Sequence, residues 1–393
     1  MGKLISMEGN QAAAEAMRQI NPDVVAAYPI TPQTEVVQTF AQFVADGRVD
    51  TEFVTAESEH SAMSACVGAA AAGTRVMTAT SANGMALMWE ILYIAASTRL
   101  PIVMALVNRA LSANINIHCD HSDSMGARDA GWIQLYCENS QEVYDTLIQA
   151  VRIAEHPQVR LPVMVCYDGF IISHAVECLE LLEDKEVQEF VGEFKPVNSL
   201  LDIAHPHTFG PLDLYDFYFE HKRQQIEAYG PAKRVIAETG KQFGALSGRE
   251  YGLFEGYRLQ DARLAIVLLG SAAGTAKEAV DRLRADGLPI GLLRLRAFRP
   301  FPSEELIQLL GGFEAVAVLD RAVSFGAATG PLFTEISSAL FRADRRPLLV
   351  NYIYGLGGRD IDIEDIQKVG EELERTAERG KTEQLVDYIS VRE

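Results

Sequence analysis

The chain is predicted to be an α/β protein built on doubly wound parallel sheet, and three features of the sequence lead there. Short apolar runs of strand length alternate with helix-length segments from residue 10 to residue 174, the pattern of linked βαβ units. The alternation resumes near residue 261, beyond a charged stretch that holds Pro196, Pro206, Pro211 and Pro231. Polar clusters stand where buried strands of the first segment end, and in open α/β sheets the carboxyl ends of strands are where ligands bind.

A helix is predicted near 10–19, a strand at 23–27, a helix near 33–46 and a strand at 51–55. A helix made almost wholly of small residues follows through residue 73, then a strand near 75–79, a helix near 83–97 and a strand at 101–107. A helix at 141–155 and a strand at 162–167 complete that run. Residues 1–230 are assigned to a first domain with an extended arm from about 175, and 231–260 to a linker. Tyr215, Phe217, Tyr218 and Phe219 sit in the arm, and an exposed aromatic cluster usually marks a contact, so the arm is expected to lie on a partner chain. Residues 261–393 form a smaller α/β domain, with strands at 264–269, 290–295, 315–319 and 348–353 and helices at 275–286, 303–311 and 329–341. Its turn Gly270-Ser271-Ala272-Ala273-Gly274 could cradle an anion at a helix start. It lacks the spacing of a dinucleotide fingerprint, so a tight βα turn is expected.

The most informative stretch is Tyr28-Pro29-Ile30-Thr31-Pro32-Gln33-Thr34, directly after the strand. Its prolines remove backbone donors and fix φ, so the strand must stop here, and the turn presents Thr31 at the strand's carboxyl end. Glu59 stands near the start of the small-residue helix, where a carboxylate is favoured by the helix dipole. A helix without bulky side chains suits a tight interface, which would leave Glu59 partly desolvated. Arg109 follows the strand at 101–107 and opens a polar loop that holds His118, Cys119, Asp120, His121 and Asp123. Asp168-Gly169-Phe170 and Ser173-His174 follow the strand at 162–167. The loop cluster looks like a metal set, but adjacent loop residues rarely aim at one ion, and an ordered loop is the expectation.

Lys and Arg number 35 against 54 Asp and Glu, a formal charge of −19. That argues against nucleic-acid or anionic-membrane partners, which need basic surface. With 48% hydrophobic residues the chain can bury sizeable cores. The five cysteines are scattered and form no CxxC pair, so no disulfide framework and no iron–sulfur cluster on this chain is expected. No apolar run reaches a membrane span, no secretory leader is visible, and a cytoplasmic location is expected.

These segments resemble the α subunit of the 2-oxoacid:ferredoxin oxidoreductases, the thiamine-diphosphate enzymes typified by pyruvate:ferredoxin oxidoreductase. The resemblance rests on the Tyr28–Pro32 turn, Ser58-Glu59 with its small-residue helix, Arg109 with Asp120-His121 and Asp123, and Asp168-Gly169-Phe170 with Ser173-His174. It continues through Gly210-Pro211-Leu212, Gly270–Lys277, Phe298–Pro302 and Gly355–Asp360. It implies a pyrimidine-type thiamine-diphosphate domain followed by a transketolase C-terminal-like domain. The Gly-Asp-Gly that holds the Mg²⁺ diphosphate is missing, so the cofactor is expected to be shared with a β subunit that holds the metal. A γ-type subunit and a ferredoxin-like [4Fe-4S] subunit complete the implied complex, with coenzyme A as a substrate. By the same resemblance Tyr28, Pro29, Ile30, Thr31 and Glu59 contact the cofactor. Glu59 controls the pyrimidine tautomer, as a buried acid/base group can. Thr31 and Arg109 meet the 2-oxoacid, the arginine fork pairing with its carboxylate. Two other readings stand beside this one, a non-redox thiamine decarboxylase or carboligase subunit and a non-catalytic assembly subunit. Intact Thr31, Glu59 and Arg109 argue against the latter.

The chain departs from pyruvate-type relatives at 114–119. Asn114 replaces a common proline, and His118-Cys119 replaces a common Trp-Asn pair. If this pair lines the substrate site, the smaller side chains open space for a bulkier acid, such as phenylglyoxylate.

Overall fold

In a computed structural model, which describes residues 3–392, two mainly parallel sheets are packed side by side. The first part of the chain contains β1 (Lys3–Glu8), α1 (Gly9–Ile20), β2 (Val24–Ala27), α2 (Thr34–Ala45), β3 (Glu52–Thr55), α3 (Glu59–Ala71) and β4 (Val76–Thr80). Then come α4 (Ala82–Leu87), α5 (Trp89–Ser97), β5 (Val103–Asn108), α6 (Ser122–Gly126), β6 (Ile133–Tyr136), α7 (Ser140–Glu155), β7 (Val163–Asp168), β8 (Val176–Leu181) and α8 (Asp184–Val191). The expected helix over 83–97 is therefore two helices that meet at Met88.

Six strands of the first sheet run in the order β3-β2-β4-β5-β7-β6 and are mutually parallel. The chain adds β3 on one side of β2 and then returns to place β4 on the other. Strand order thus reverses between β2 and β4, the crevice where doubly wound sheets bind ligands. Its strands are near-continuous apolar runs because helices cover both faces. Met77, Val103, Val107, Val163 and Val165 pack toward α1, α2 and α7 in one core. Met104, Leu106, Met164 and Cys166 face α3 and α5 in the other.

Residues 175–260, expected as arm and linker, are largely ordered structure. β8 pairs antiparallel with β1 in a two-stranded ribbon. The stretch 231–260 is no linker: α9 (Tyr218–Ser247) runs through Pro231 and packs Ala228, Ala232, Val235, Ile236 and Phe243 onto the first core. Its buried side chains recur at helical spacing on both sides of the proline. The aromatic stretch at 215–219 is exposed.

The second sheet contains β9 (Phe254–Tyr257), β10 (Leu264–Leu268), β11 (Ile290–Leu295), β13 (Ala315–Asp320), β14 (Leu348–Ile353) and β15 (Val386–Tyr388). Its order is β15-β14-β13-β10-β11-β9, and only β9 is antiparallel to its neighbour. Helices α10 (Ala272–Ala285), α11 (Ser303–Leu310), α12 (Pro331–Leu340) and α13 (Ile363–Arg379) flank it. The intervening β12 (Ala297–Arg299) leaves this sheet and pairs antiparallel with β6, completing the first sheet as a seventh strand. None of the described helices is long and apolar enough to cross a membrane.

Candidate active site

Three loops converge at the β2/β4 crevice. After β2, the Tyr28–Pro32 turn is pinned from below by Asn10 of α1, whose Nδ2 donates to the Pro32 carbonyl at 2.7 Å. Tyr28, Pro29 and Thr31 are exposed and Ile30 half-buried. The Thr31 carbonyl accepts from Arg109 Nη1 at 2.8 Å, and Arg109 Nε donates to the Asn116 carbonyl at 3.0 Å. Arg109 is only 7% exposed. Two of its nitrogens are thus already engaged, and Nη2 carries no hydrogen bond among the described residues. The Thr31 hydroxyl likewise has no partner there, so it is not consumed in holding its own turn.

Glu59 begins α3, after the N-cap Ser58, whose hydroxyl accepts from Ser61 N at 3.2 Å. It is 6% exposed, and its carboxylate has neither a hydrogen bond nor an ion pair among the described residues. A glycine makes room for it. A Cβ on Gly84 would lie 2.6 Å from Glu59 Oε1 and 2.6 Å from Thr80 Oγ1. Glu57, by contrast, is exposed and accepts from the Ser61 hydroxyl. Thr80 Oγ1, Ser81 Oγ, Asn108 Oδ1 and Gln33 Nε2 are buried without partners near the carboxyl ends of β4, β5 and β2. Buried polar atoms are nearly always paired, so this concentration at one crevice marks a place built for something else.

His118 and Cys119 part company. His118 is exposed and its ring lies 4.8 Å from that of Phe170, tilted by 33°, and Phe170 stacks on His174 at 4.7 Å. Cys119 is fully buried and turns inward, so the expectation that it lines an open substrate pocket is corrected. Burial and nearby Asp168 push its thiol well above the usual range. Its Sγ, a His121 nitrogen and an Asp168 oxygen lie within 4.8 Å of one another. The charge there is already met by a protein cation: Arg321 Nη1 sits 2.9 Å from Asp168.

Two aspartates, Asp168 and Asp123, organise the surroundings. Asp168 ends β7 and accepts from His121 Nε2 at 2.8 Å, from Arg321 and from the Ser271 amide at 3.0 Å. Burial alone would raise this carboxyl, but His121 and Arg321 hold it well below the usual range. The anion cradled by the 270–274 turn is thus a side chain of the first domain. Asp123, on α6, has no cation partner, and burial raises its carboxyl to about 6. Nothing in the sequence marked Arg321. Gly169 did carry a signal, since a Cβ there would fall 2.5 Å from the Asn108 carbonyl.

An open switch-point crevice with an unpaired carboxylate, beside a second sheet of the same winding, gives an α/β fold of the kind seen in transketolases. A split-gene transketolase superposes with a TM-score of 0.56 at 14% identity, covering 93% of this chain and 98% of that one. The 2-oxoglutarate:ferredoxin oxidoreductase of Magnetococcus marinus superposes with a TM-score of 0.74 at 21% identity, covering 94% of this chain and 65% of that one. Both are likenesses of fold. Residues 15–241 match the thiamine-diphosphate-binding domain of pyruvate flavodoxin/ferredoxin oxidoreductases, and 262–366 match core domain II of pyruvate:ferredoxin oxidoreductase. The chain belongs to this family, as an α-type subunit of a 2-oxoacid:ferredoxin oxidoreductase. The pyruvate synthase subunit PorA of Thermotoga maritima is 61% identical, covering 94% of each chain. The ketoisovalerate oxidoreductase subunit VorA of Pyrococcus horikoshii is 43% identical, covering 98% of each. The carboligase and scaffold readings find no favour among these relatives.

Proposed function

We propose that this chain supplies the pyrimidine-side half of a thiamine-diphosphate site in a complex that oxidatively decarboxylates pyruvate. The observation that carries the reading is Glu59, a carboxylate at a strand-edge crevice, nearly buried and unpaired, beside unpartnered Thr80 and Ser81 hydroxyls. A buried carboxylate without a partner fits a ligand that brings a hydrogen-bond donor, as the protonated pyrimidine ring does. The site therefore fits the cofactor, which when bound supplies the carbanion chemistry that no side chain can.

Glu59 holds the proton at the pyrimidine N1′ and so sets the ring's tautomer. Arg109 offers Nη2 and the remaining Nη1 hydrogen to the substrate carboxylate, while Thr31 and Asn116 carbonyls fix its plane. The Thr31 hydroxyl donates to the oxygen on which charge develops. Tyr28, Pro29 and Ile30 wall the cofactor, and the His118–Phe170 ring pair bounds the substrate side.

Pyruvate is favoured because the 61% identical relative is a pyruvate synthase subunit. The branched-chain reading rests on relatives at 43% identity. The aryl reading keeps only His118, since Cys119 faces inward. Coenzyme A accepts the acyl group, by analogy with the Magnetococcus structure, which has coenzyme A and succinyl-CoA bound. A β subunit provides the Mg²⁺ diphosphate half, and γ-type and ferredoxin-like [4Fe-4S] subunits carry acyl transfer and electrons. The test is turnover by the purified complex of pyruvate, 2-oxoisovalerate, 2-oxoglutarate and phenylglyoxylate with coenzyme A and an electron acceptor. Pyruvate should give the highest kcat/KM. A higher value for phenylglyoxylate would overturn the substrate assignment. Tight Mg²⁺-dependent thiamine-diphosphate binding by the isolated chain would overturn the shared site.

A further inference from the structure

We propose that Asp123 is a positioning residue that holds the floor under Glu59 and the Arg109 loop as one rigid piece. The proposal rests on the roles given above to Glu59 and Arg109. Asp123 is 2% exposed and lies between the two loops. Its Oδ2 accepts from the amides of Ala82 and Arg109, each at 3.0 Å. Its Oδ1 accepts from Asn108 Nδ2 at 2.8 Å and from the Ser124 amide at 2.7 Å.

Each of those donors has a consequence for the site. Arg109 is the first residue beyond β5, so its amide sets where the guanidinium departs. Ala82 opens α4, and two residues later Gly84 supplies the surface on which Glu59 and Thr80 meet. Ala82 also adopts φ 41°, the left-handed region that an alanine enters only at a cost. Something must hold it there, and the bond from its amide to Asp123 does. Four donors and no cation converge on one carboxylate. An asparagine in its place would keep one acceptor oxygen and turn an NH₂ toward two of those donors. One group therefore fixes both the acid/base carboxylate and the substrate arginine.

The experiment compares wild type and Asp123→Asn in the assembled complex. Amide hydrogen exchange without cofactor is read first. In wild type, Ala82 and Arg109 should show matched protection once their intrinsic exchange rates are divided out, and in Asp123→Asn both should lose protection together while the sheet amides of β5 and β7 do not. Kinetics are read second. Arg109→Lys should raise KM with little change in C2 proton exchange on the bound cofactor, and Glu59→Gln should slow that exchange with little change in substrate affinity. Asp123→Asn should do both, with kcat/KM about 100-fold down, the usual cost of an ångström of misplacement. Asp123→Ala should be worse than Asp123→Asn. Clearly unequal protection of the two amides in wild type overturns the proposal, even if no variant assembles. So does a folded Asp123→Asn enzyme that loses only one of the two functions, or neither. Normal C2 exchange in Glu59→Gln would instead overturn the role of Glu59, and the amide rates would still decide the question for Asp123.

Discussion

The two sheets reverse strand order at equivalent places, between β2 and β4 in the first and between β10 and β13 in the second, and they treat the crevice in opposite ways. At the first, the Glu59 carboxylate and the Thr31, Thr80 and Ser81 hydroxyls have no protein partner among the described residues. At the second, the Ser271 amide and Arg321 close on Asp168, a side chain delivered by the other domain. Asp320, beside Arg321, is likewise fully used by the amides of Leu332 and Phe333 and by Asn351. The same scaffold thus yields a site where polar groups are left unsatisfied and a joint where they are satisfied internally. Which of the two a crevice becomes depends on a few residues, as expected when function is carried by the site more than by the fold.

Four measurements break or sharpen that contrast. Glu59→Gln should slow C2 proton exchange on the bound cofactor by ~10²–10⁴ and leave thermal stability nearly unchanged, because the carboxylate has no partner to lose. Arg321→Ala should do the reverse at the joint. It strands the buried Asp168 charge, and unfolding free energy should drop by ~3–5 kcal/mol in a denaturant titration.

The third is a pH profile at the second crevice. Burial raises the Asp320 carboxyl from 3.8 to about 6. A raised acid costs stability once it ionises, so lowering the pH from 7 to 4 should return up to about 3 kcal/mol from this group. Asp320→Asn should flatten that part of the curve. Asp168 has the opposite sign. Its carboxyl is depressed, so its contribution is present above pH ~4 and is lost as pH falls further. A wild-type curve with no gain between pH 7 and 4 that Asp320→Asn removes would refute the assignment. Smallest is Thr31→Val, which should lower kcat/KM by about tenfold without moving the melting temperature. A drop in melting temperature would mean that the hydroxyl serves its own turn.

The parts of this architecture that recur at short range were legible in the sequence. Strand ends at Ala27, Thr55, Asn108 and Asp168 were marked by prolines, polar clusters and glycine, and the alternation of apolar runs carried both sheets. The chemistry-bearing Thr31, Glu59 and Arg109 stood at those ends. What was not legible depends on distant partners. Cys119 reads as a loop residue like His118, yet it is buried near Asp168 and Arg321, residues that lie far along the chain. Asp123 and Asp168 look alike in sequence, and a cation separates their behaviour. The arm was misread because α9 is polar on its outer face and contains Pro231. Yet Ala228, Ala232, Val235, Ile236, Thr239 and Phe243 keep the spacing of a buried helical stripe. β12 and the β1–β8 ribbon were hidden for a simpler reason: short strands paired across long stretches of chain leave no local period.

The pairing of β12 with β6 also sets a timetable for synthesis. β6 is the outer parallel strand of the first sheet, and its cover is encoded roughly 160 residues later. At a translation rate of roughly 5–20 residues per second, that edge emerges some 10–30 s before the strand that protects it. Throughout that interval the nascent chain presents unpaired backbone of the kind that recruits other strands. Ribosome-proximal chaperones, or early docking of α9, would have most effect in that window, and a pause engineered between residues 136 and 297 should increase aggregation more than one placed after Arg299.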